Sequence, residues 1–300
     1  MKVSSGLATF YCRARSFATI GAQVVEMDRS AYGRAAPAVD NLSEAPLQSS
    51  QLHQKEKDRM AEPVVTTREG DVVTILLNRP ESGNRQTDAT WAKVTEMFDT
   101  ASRESRLIIF KGAGDDFCLG REAMGQAAAA LEAYAVRERS ETIFNLYGAF
   151  RNARVPIIGV VQGRAVGLGC ALAALCDITI ASDRARFQFP ETAHRIMPTI
   201  AFSALVDRMP RKAATFMMYS AQEIDAQKAL TFGIASDVVA SNNLDGAVST
   251  LVEHLKKMPP PALLALKEYA RSAFGMSAQG ATEFARNLHA TVNSFSGMKA

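Results

Sequence analysis

The chain has 300 residues, 47% of them hydrophobic, with a formal net charge of +3. That length holds one large domain or two small ones, and that apolar share is enough for a sizeable core. So small a charge, with no Lys/Arg-rich run in the folded part, leaves no electrostatic case for a nucleic-acid partner. The four cysteines, Cys12, Cys118, Cys170 and Cys176, make neither a Cys-x-x-Cys pair nor a disulfide framework. Three of them sit in apolar or glycine-rich settings, which fits buried thiols in a reducing compartment. The most apolar stretch, 155–180, is interrupted by Gln162, Arg164 and glycines, so it is not a membrane span.

Residues 1–60 differ from the rest. Up to Gln23 they carry Lys2, Arg13 and Arg15 with no acid, plus several Ser and Thr. That is the composition of a mitochondrial presequence, with Arg15-Ser16-Phe17-Ala18 as a processing site. Met60-Ala61-Glu62-Pro63 offers an equally natural start, which makes 1–60 a leader or an upstream extension. Residues 30–59 are polar without a sustained period, and disorder is expected there.

The folded part opens with a β-branched strand over 72–77, closed by Asn78-Arg79-Pro80. Trp91, Val94, Phe98 and Ala101 recur at helical spacing. A strand over 107–111 leads into a glycine-punctuated loop, 112–122, and then a long helix is expected from about 130 to 152. An apolar strand over 155–161 turns through Gly163, Gly167 and Gly169 into a short apolar helix at 169–176, and strands at 177–182 and 186–189 follow. Beyond Ile200 the strands are expected to stop. Helices are predicted at about 202–208, 211–219, 225–232, 244–257, 260–274 and 278–293, punctuated by Pro210, Gly233 and Pro259-Pro260-Pro261. Alternating strands and helices predict a largely parallel α/β sheet, and pattern alone favours a doubly wound one.

A strand that turns through glycines into a helix start brings unpaired backbone N–H groups and partial positive charge to one point, suited to a phosphate or a developing oxyanion. The turn 163–177 has that form. With Leu77-Asn78-Arg79-Pro80 and Asn84, the loop 112–122, and Arg186-Phe187-Gln188-Phe189-Pro190-Glu191, it makes a set of four motifs in order. From about Val64 to about Phe284 the chain resembles the crotonase, or enoyl-CoA hydratase/isomerase, family. The resemblance implies a crotonase-like spiral of ββα repeats over 61–200. It also implies a C-terminal helical oligomerisation region over 201–300, building a homotrimer or a dimer of trimers. The chain ends soon after Asn293, without the charged tail of many members.

In that family a CoA thioester is activated by two backbone amides aimed at its carbonyl oxygen, each worth about 3 kcal/mol of transition-state stabilisation. By motif match these are the amides of Arg121, after Gly120, and Leu168, after Gly167. The family's hydratases use two glutamates. Here the first position is Ala171 and the second is Glu191. Members with only the second include the Δ3,Δ2-enoyl-CoA isomerases, so the resemblance implies that Glu191 is a single acid/base shuttling a proton between C2 and C4. His194, three residues on, either faces the same way as Glu191 and orients it, touches a polar substrate group, or only meets solvent. The side chain of Arg121 either pairs with Glu122 or binds a substrate carboxylate, ion pairing being the simpler account.

For CoA, the resemblance implies Arg79 and Arg85 at the nucleotide site and Lys267 at the phosphates. No phosphate-binding P-loop, dinucleotide fingerprint, His-Glu-x-x-His or serine elbow is present in the sequence. No metal and no cofactor are expected beyond the coenzyme A carried by an acyl-CoA substrate, and no nucleic acid or membrane partner. The expected reaction is a 3-enoyl to 2-enoyl shift. Hydration, another one-glutamate reaction such as hydrolysis or decarboxylation, and an idle scaffold of the same fold stay open. The expected compartment is the cytoplasm, or the mitochondrial matrix should 1–60 be a true presequence.

Overall fold

The computed structural model describes residues 62–122 and 132–298. The leader or extension expected over 1–60, and the disorder expected within it, lie outside the described residues.

The strands are β1 (Val64–Glu69), β2 (Val72–Leu77), β3 (Leu107–Gly112), β4 (Ile157–Val161), β5 (Arg164–Val166), β6 (Ile178–Ser182), β7 (Arg186–Gln188), β8 (Ile224–Asp225) and β9 (Asp237–Val239). The described helices are α1 (Asp88–Glu104), α2 (Ala133–Asn152), α3 (Leu168–Leu175), α4 (Thr199–Leu205), α5 (Arg211–Ser220), α6 (Ala226–Phe232), α7 (Leu244–Lys257), α8 (Pro260–Ser272) and α9 (Ala278–Asn293). The elements expected between 72 and 189 form within a few residues of where periodicity puts them. For α2 this holds over the residues described, and the six helices expected after 200 form as well.

The strands divide between two sheets. A six-stranded sheet has the order β1-β2-β3-β4-β6-β9, and a three-stranded sheet the order β5-β7-β8. In the larger sheet only the β1–β2 pair is antiparallel. β4, at its centre, is buried at every position, as a parallel strand covered on both faces must be.

Each turn of chain lays one strand in the large sheet, then a short extended piece in the second stack, then a helix. β4 is followed by β5 and α3, and β6 by β7 and the turn at Glu191–His194. After β3 the extended piece is the glycine loop, where Cys118 bridges Ala165 and Arg121 bridges Gln86. This is a spiral of ββα turns and not the doubly wound sheet that pattern alone favours. Alternation of period tells strand from helix, but the sheet each strand joins depends on the bend between successive strands.

The strands do not stop at Ile200. β8 pairs antiparallel with β7, and β9 pairs parallel with β6. They have two and three residues, too short for an alternating pattern to register, and exist because an open sheet edge was waiting for them.

The main apolar core runs from Val64 to Ala235 and joins both sheets to α1–α6. At its heart Phe110 of β3 packs edge-on against Phe98 of α1 at 5.4 Å, Phe117 of the glycine loop at 5.5 Å and Phe150 of α2 at 5.4 Å. These edge-to-face contacts, worth about 1 kcal/mol each beyond area burial, tie the glycine loop to the helices on either side of it. A second cluster, including Val72, Ile158, Ile180, Val248 and Leu263, packs α7 and α8 on the other face of the large sheet. No described helix is long and apolar enough to cross a membrane.

α3 starts hard against the glycine loop. Cys118 O accepts from Val166 N at 2.9 Å, and a methyl group placed on Gly169 would sit 2.1 Å from that same oxygen. We therefore expect Gly169→Ala to cost about 3 kcal/mol or more, because the added atom must push two backbones apart. The midpoint of urea unfolding checks this, and an unchanged midpoint would show that the helix start can retreat.

Candidate active site

A cleft of about 560 Å³ opens where the two glycine-rich motifs meet the turn after β7. Gly120 and Arg121 line it from the loop after β3, Gly167 and Leu168 from the β5–α3 turn, and Glu191 and His194 from the turn after β7. α2 contributes Ile143 and Tyr147, and the segment before α4 contributes Ile196 and Met197. Motifs 23 to 74 positions apart in sequence thus face one volume, because successive turns of the spiral stack the same kind of bend on one side.

Two of these bends need glycine. Gly120 has φ +99° and Gly167 φ +54°, both in the region that side chains disfavour. They also touch what surrounds them. A methyl group on Gly120 would lie 3.7 Å from Leu168 N, and one on Gly167 would lie 3.2 Å from Glu191 Oε1. Neither the Arg121 amide nor the Leu168 amide donates a hydrogen bond among the described residues. Leu168 opens α3, so its N–H has no partner within the helix. Two free backbone donors and a carboxylate therefore border the same cleft.

Glu191 is only partly exposed, and burial holds its carboxyl above the usual carboxylate range. A hydrogen bond from its own backbone N–H and the nearby charge of His194 act in the opposite sense. Its Oε2 is buried without a hydrogen-bond partner. His194 is exposed and lies one turn of 3-10 helix later, on the same side as Glu191, where residues three apart eclipse one another. Ala171, in the first turn of α3, is fully buried.

The side chain of Arg121 forms an ion pair, but with Asp88 at the start of α1 and not with Glu122. Glu122 is instead held at 2.5 Å by Arg79. Arg79 also donates to Arg85 O at 3.1 Å, so it braces the 79–85 loop and faces the acid beside the cleft. Arg85 lines the cleft mouth, is exposed, and has no acidic partner among the described residues. Asn84 is the hub of this loop. It is fully buried at φ +58°, and its amide donates to Ala113 O and Asp116 O at 2.8 Å and to Phe117 O at 3.2 Å.

Lys267 is not among the residues that line the cleft. Its side chain is 5% exposed and its ammonium sits 2.6 Å from Asp177, whose carboxylate also accepts from Ile157 N at 2.8 Å. Burial lowers its pKa and Asp177 opposes that shift. A cation enclosed in this way anchors α8 to the base of β4 and β6 and does not line the cleft. Sequence alone gave no partner for it, since Asp177 is 90 residues away. Tyr147 is a residue that the motifs missed. The spacing Ile143, Leu146, Tyr147, Phe150 marks the buried face of α2, yet nothing in that spacing says that one of these side chains meets a cleft.

Arg195, directly after the Glu191–His194 turn, adopts φ +59°. Its N–H bonds Thr192 O and the next N–H bonds Glu191 O, a Schellman pair whose left-handed residue is ordinarily glycine. Arg195→Gly should remove that strain and raise stability by about 1 kcal/mol, less the extra entropy of an unfolded glycine. Thermal unfolding of the two proteins measures it, and a lower melting temperature for the glycine variant would mean that the arginine side chain holds the turn.

The family model described as enoyl-CoA hydratase/isomerase matches residues 67–299. The 2,3-dehydroadipyl-CoA hydratase of Escherichia coli is 27% identical over 228 residues, covering 75% of this chain and 88% of that protein. The peroxisomal enoyl-CoA delta isomerase 3 of Mus musculus is 26% identical over 256 residues, covering 84% of this chain and 80% of that protein. Among solved structures, a putative enoyl-CoA hydratase from Thermobifida fusca in complex with CoA superposes with a TM-score of 0.70 at 28% identity, covering 79% of this chain and 95% of that one. The matched span takes in both sheets but for the first three residues of β1, the cleft and all the described helices, and on it the chain belongs to the enoyl-CoA hydratase/isomerase family.

Proposed function

We propose that this protein is an enoyl-CoA isomerase, moving a 3-enoyl double bond to the 2 position of an acyl-CoA. The observation that carries the reading is that Glu191 is the one carboxylate lining the cleft that has no cationic partner among the described residues. Glu122 is tied to Arg79, and Ala171 stands where the family's hydratases carry a second glutamate. The named relatives include both a hydratase and an isomerase, so the choice between them rests on these side chains.

In this mechanism the thioester oxygen accepts hydrogen bonds from the Arg121 and Leu168 amides, each worth about 3 kcal/mol as the carbonyl becomes an enolate. The ionised Glu191 removes a proton from C2. The C–H electron pair moves into the C1–C2 bond as the carbonyl pair moves onto the thioester oxygen, giving a dienolate whose collapse forms the C2–C3 double bond and turns the C3–C4 pair toward a proton at C4. The same carboxyl then returns its proton to C4, leaving the 2-enoyl thioester. One base suffices because the proton leaves and re-enters on one face, whereas addition of water needs a second group to hold it. Arg85 meets the CoA phosphates at the cleft mouth, and Arg79 acts by shaping that loop.

Offering 2-enoyl-CoA and 3-enoyl-CoA to the protein and following absorbance of the conjugated thioester tests the reading. Signal is expected to appear from the 3-enoyl isomer. Loss of signal from the 2-enoyl isomer would instead indicate hydration. Glu191→Gln should lower turnover by about 10²–10⁴-fold with little change in acyl-CoA affinity. Because the base must be ionised and burial raises its pKa, activity should fall as pH drops through a value above the ordinary carboxylate range. A Glu191→Gln protein with full activity would move the chemistry to another residue.

The same reading includes self-association through the C-terminal helices. α8 and α9 pack as a hairpin, with Tyr269 stacked on Phe284 at 5.6 Å, yet Leu266 is 57% and Phe274 90% exposed. Apolar side chains displayed in that way belong in an interface. Sedimentation at micromolar concentration should give the mass of a trimer or hexamer, and a monomer alone would count against it.

A further inference from the structure

Arg121 brings a cation to the cleft as well as an amide, and the mechanism above uses only the amide. The side chain is partly buried and is held by Asp88, which does not itself line the cleft. Arg121 Nε donates to one carboxylate oxygen of Asp88 and Nη2 to the other, a two-pronged geometry that fixes the guanidinium in plane as well as in place. Asp88 is itself rigidly mounted. It opens α1, whose Trp91, Val94 and Phe98 are fully buried, and the helix is capped by the Thr87 side chain rather than by Asp88.

Glu191 is the carboxylate of the same cleft that has no cation, and its Oε2 is buried and unpartnered. A bare carboxylate and a guanidinium that border one partly buried volume pair with each other unless another group holds one of them. Few contacts separate the two. A methyl group on Gly120 would lie 3.7 Å from Leu168 N, and one on Gly167 would lie 3.2 Å from Glu191 Oε1, so the loop carrying Arg121, the start of α3 and the carboxylate are stacked in turn. Tyr147 of α2 feels the charges of both Glu191 and Arg121, yet Arg121 is not among the charges acting on Glu191. The charge that does act there is His194, from the same turn. Tyr147 and Cys170 of α3 face Glu191 as neutral groups, kept protonated by burial first and by its charge second.

We propose that Asp88 keeps the base of the cleft free: by holding the Arg121 guanidinium it denies that cation to Glu191. Asp88 is thus a positioning residue, acting through Arg121 without touching the substrate. Once released, Arg121 pairs with Glu191, stabilises the ionised carboxylate and makes it a poorer proton acceptor, and that pair has to part before the base reaches C2. The inference rests on Glu191 as the base of the acyl-CoA reading, and it names the residue on which the freedom of that base depends.

Carbon-13 NMR of the full chain labelled at its glutamate carboxyls, with the Glu191 signal identified by its loss in Glu191→Gln, tests this without any substrate. Asp88→Asn keeps the shape of the side chain and removes its charge. In that variant Glu191 should titrate at lower pH than in the wild type, and adding Arg121→Met should move the titration back up. Asp88→Glu, which still holds the guanidinium, should titrate as the wild type does. Turnover of 3-enoyl-CoA should fall about 10-fold or more in Asp88→Asn, through kcat and not KM, and the added Arg121→Met should recover part of that loss. A pair that only braces the loop gives the opposite order, with the double variant no better than the single one. Three results overturn the proposal: a Glu191 titration that Asp88→Asn leaves in place, a shift that persists when Arg121 is also replaced, or turnover no better in the double variant than in Asp88→Asn. Those results leave the acyl-CoA reading standing. A wild-type protein that acts on no enoyl-CoA, while the titrations move as expected, overturns that reading and leaves Asp88 in its role toward Glu191.

Discussion

The contact between the start of α3 and the Cys118 backbone is the constraint on which the cleft depends. Val166 N donates to Cys118 O, and Gly169 passes so close to that oxygen that no side chain fits between them. Two successive turns of the spiral are thereby locked together at backbone level. Their following amides, Arg121 and Leu168, inherit that lock and border one volume without partners of their own. A hydrogen bond between flexible side chains would not hold two donors in such fixed relation, whereas backbone packing leaves them no freedom to drift.

Around that contact the polar side chains divide between bracing and availability. Asn84 ties the 79–85 loop to three carbonyls of the glycine loop. Asp88 anchors Arg121, Arg79 anchors Glu122, and Lys267 with Asp177 fixes α8 beneath the large sheet. Each pair removes a charge from the inventory that a ligand meets. What remains facing the cleft is Glu191 with one orphaned oxygen, the Tyr147 phenol, exposed His194 and exposed Arg85. A carboxyl in such surroundings is a stronger base than one in water, because burial penalises its ionised form and little opposes that penalty.

Much of this was legible in the chain itself. Trp91, Val94, Phe98 and Ala101 at helical spacing, and the β-branched run over 72–77, gave α1 and β2 from periodicity, since those side chains do bury one face. The glycines at 120, 167 and 169 announced sharp backbone, and the two motifs they punctuate do meet the Glu191 turn in one cleft. Where periodicity had too few residues to act on, it failed. β8 and β9 form on sheet edges that only the assembled fold provides, and the division of strands between two sheets follows from bends that carry no period.

Sequence by itself therefore determined the elements and the places where backbone must come close. These are local properties, written in residue type and spacing. Tertiary structure decided the partners. It gave Arg121 to Asp88 and not to the adjacent Glu122, buried Lys267 against an acid 90 residues away, and turned Tyr147 from one more apolar-face residue into part of the cleft wall. Ion pairs and burial depend on which surfaces the fold brings within a few ångströms of each other, and no spacing along the chain encodes that distance.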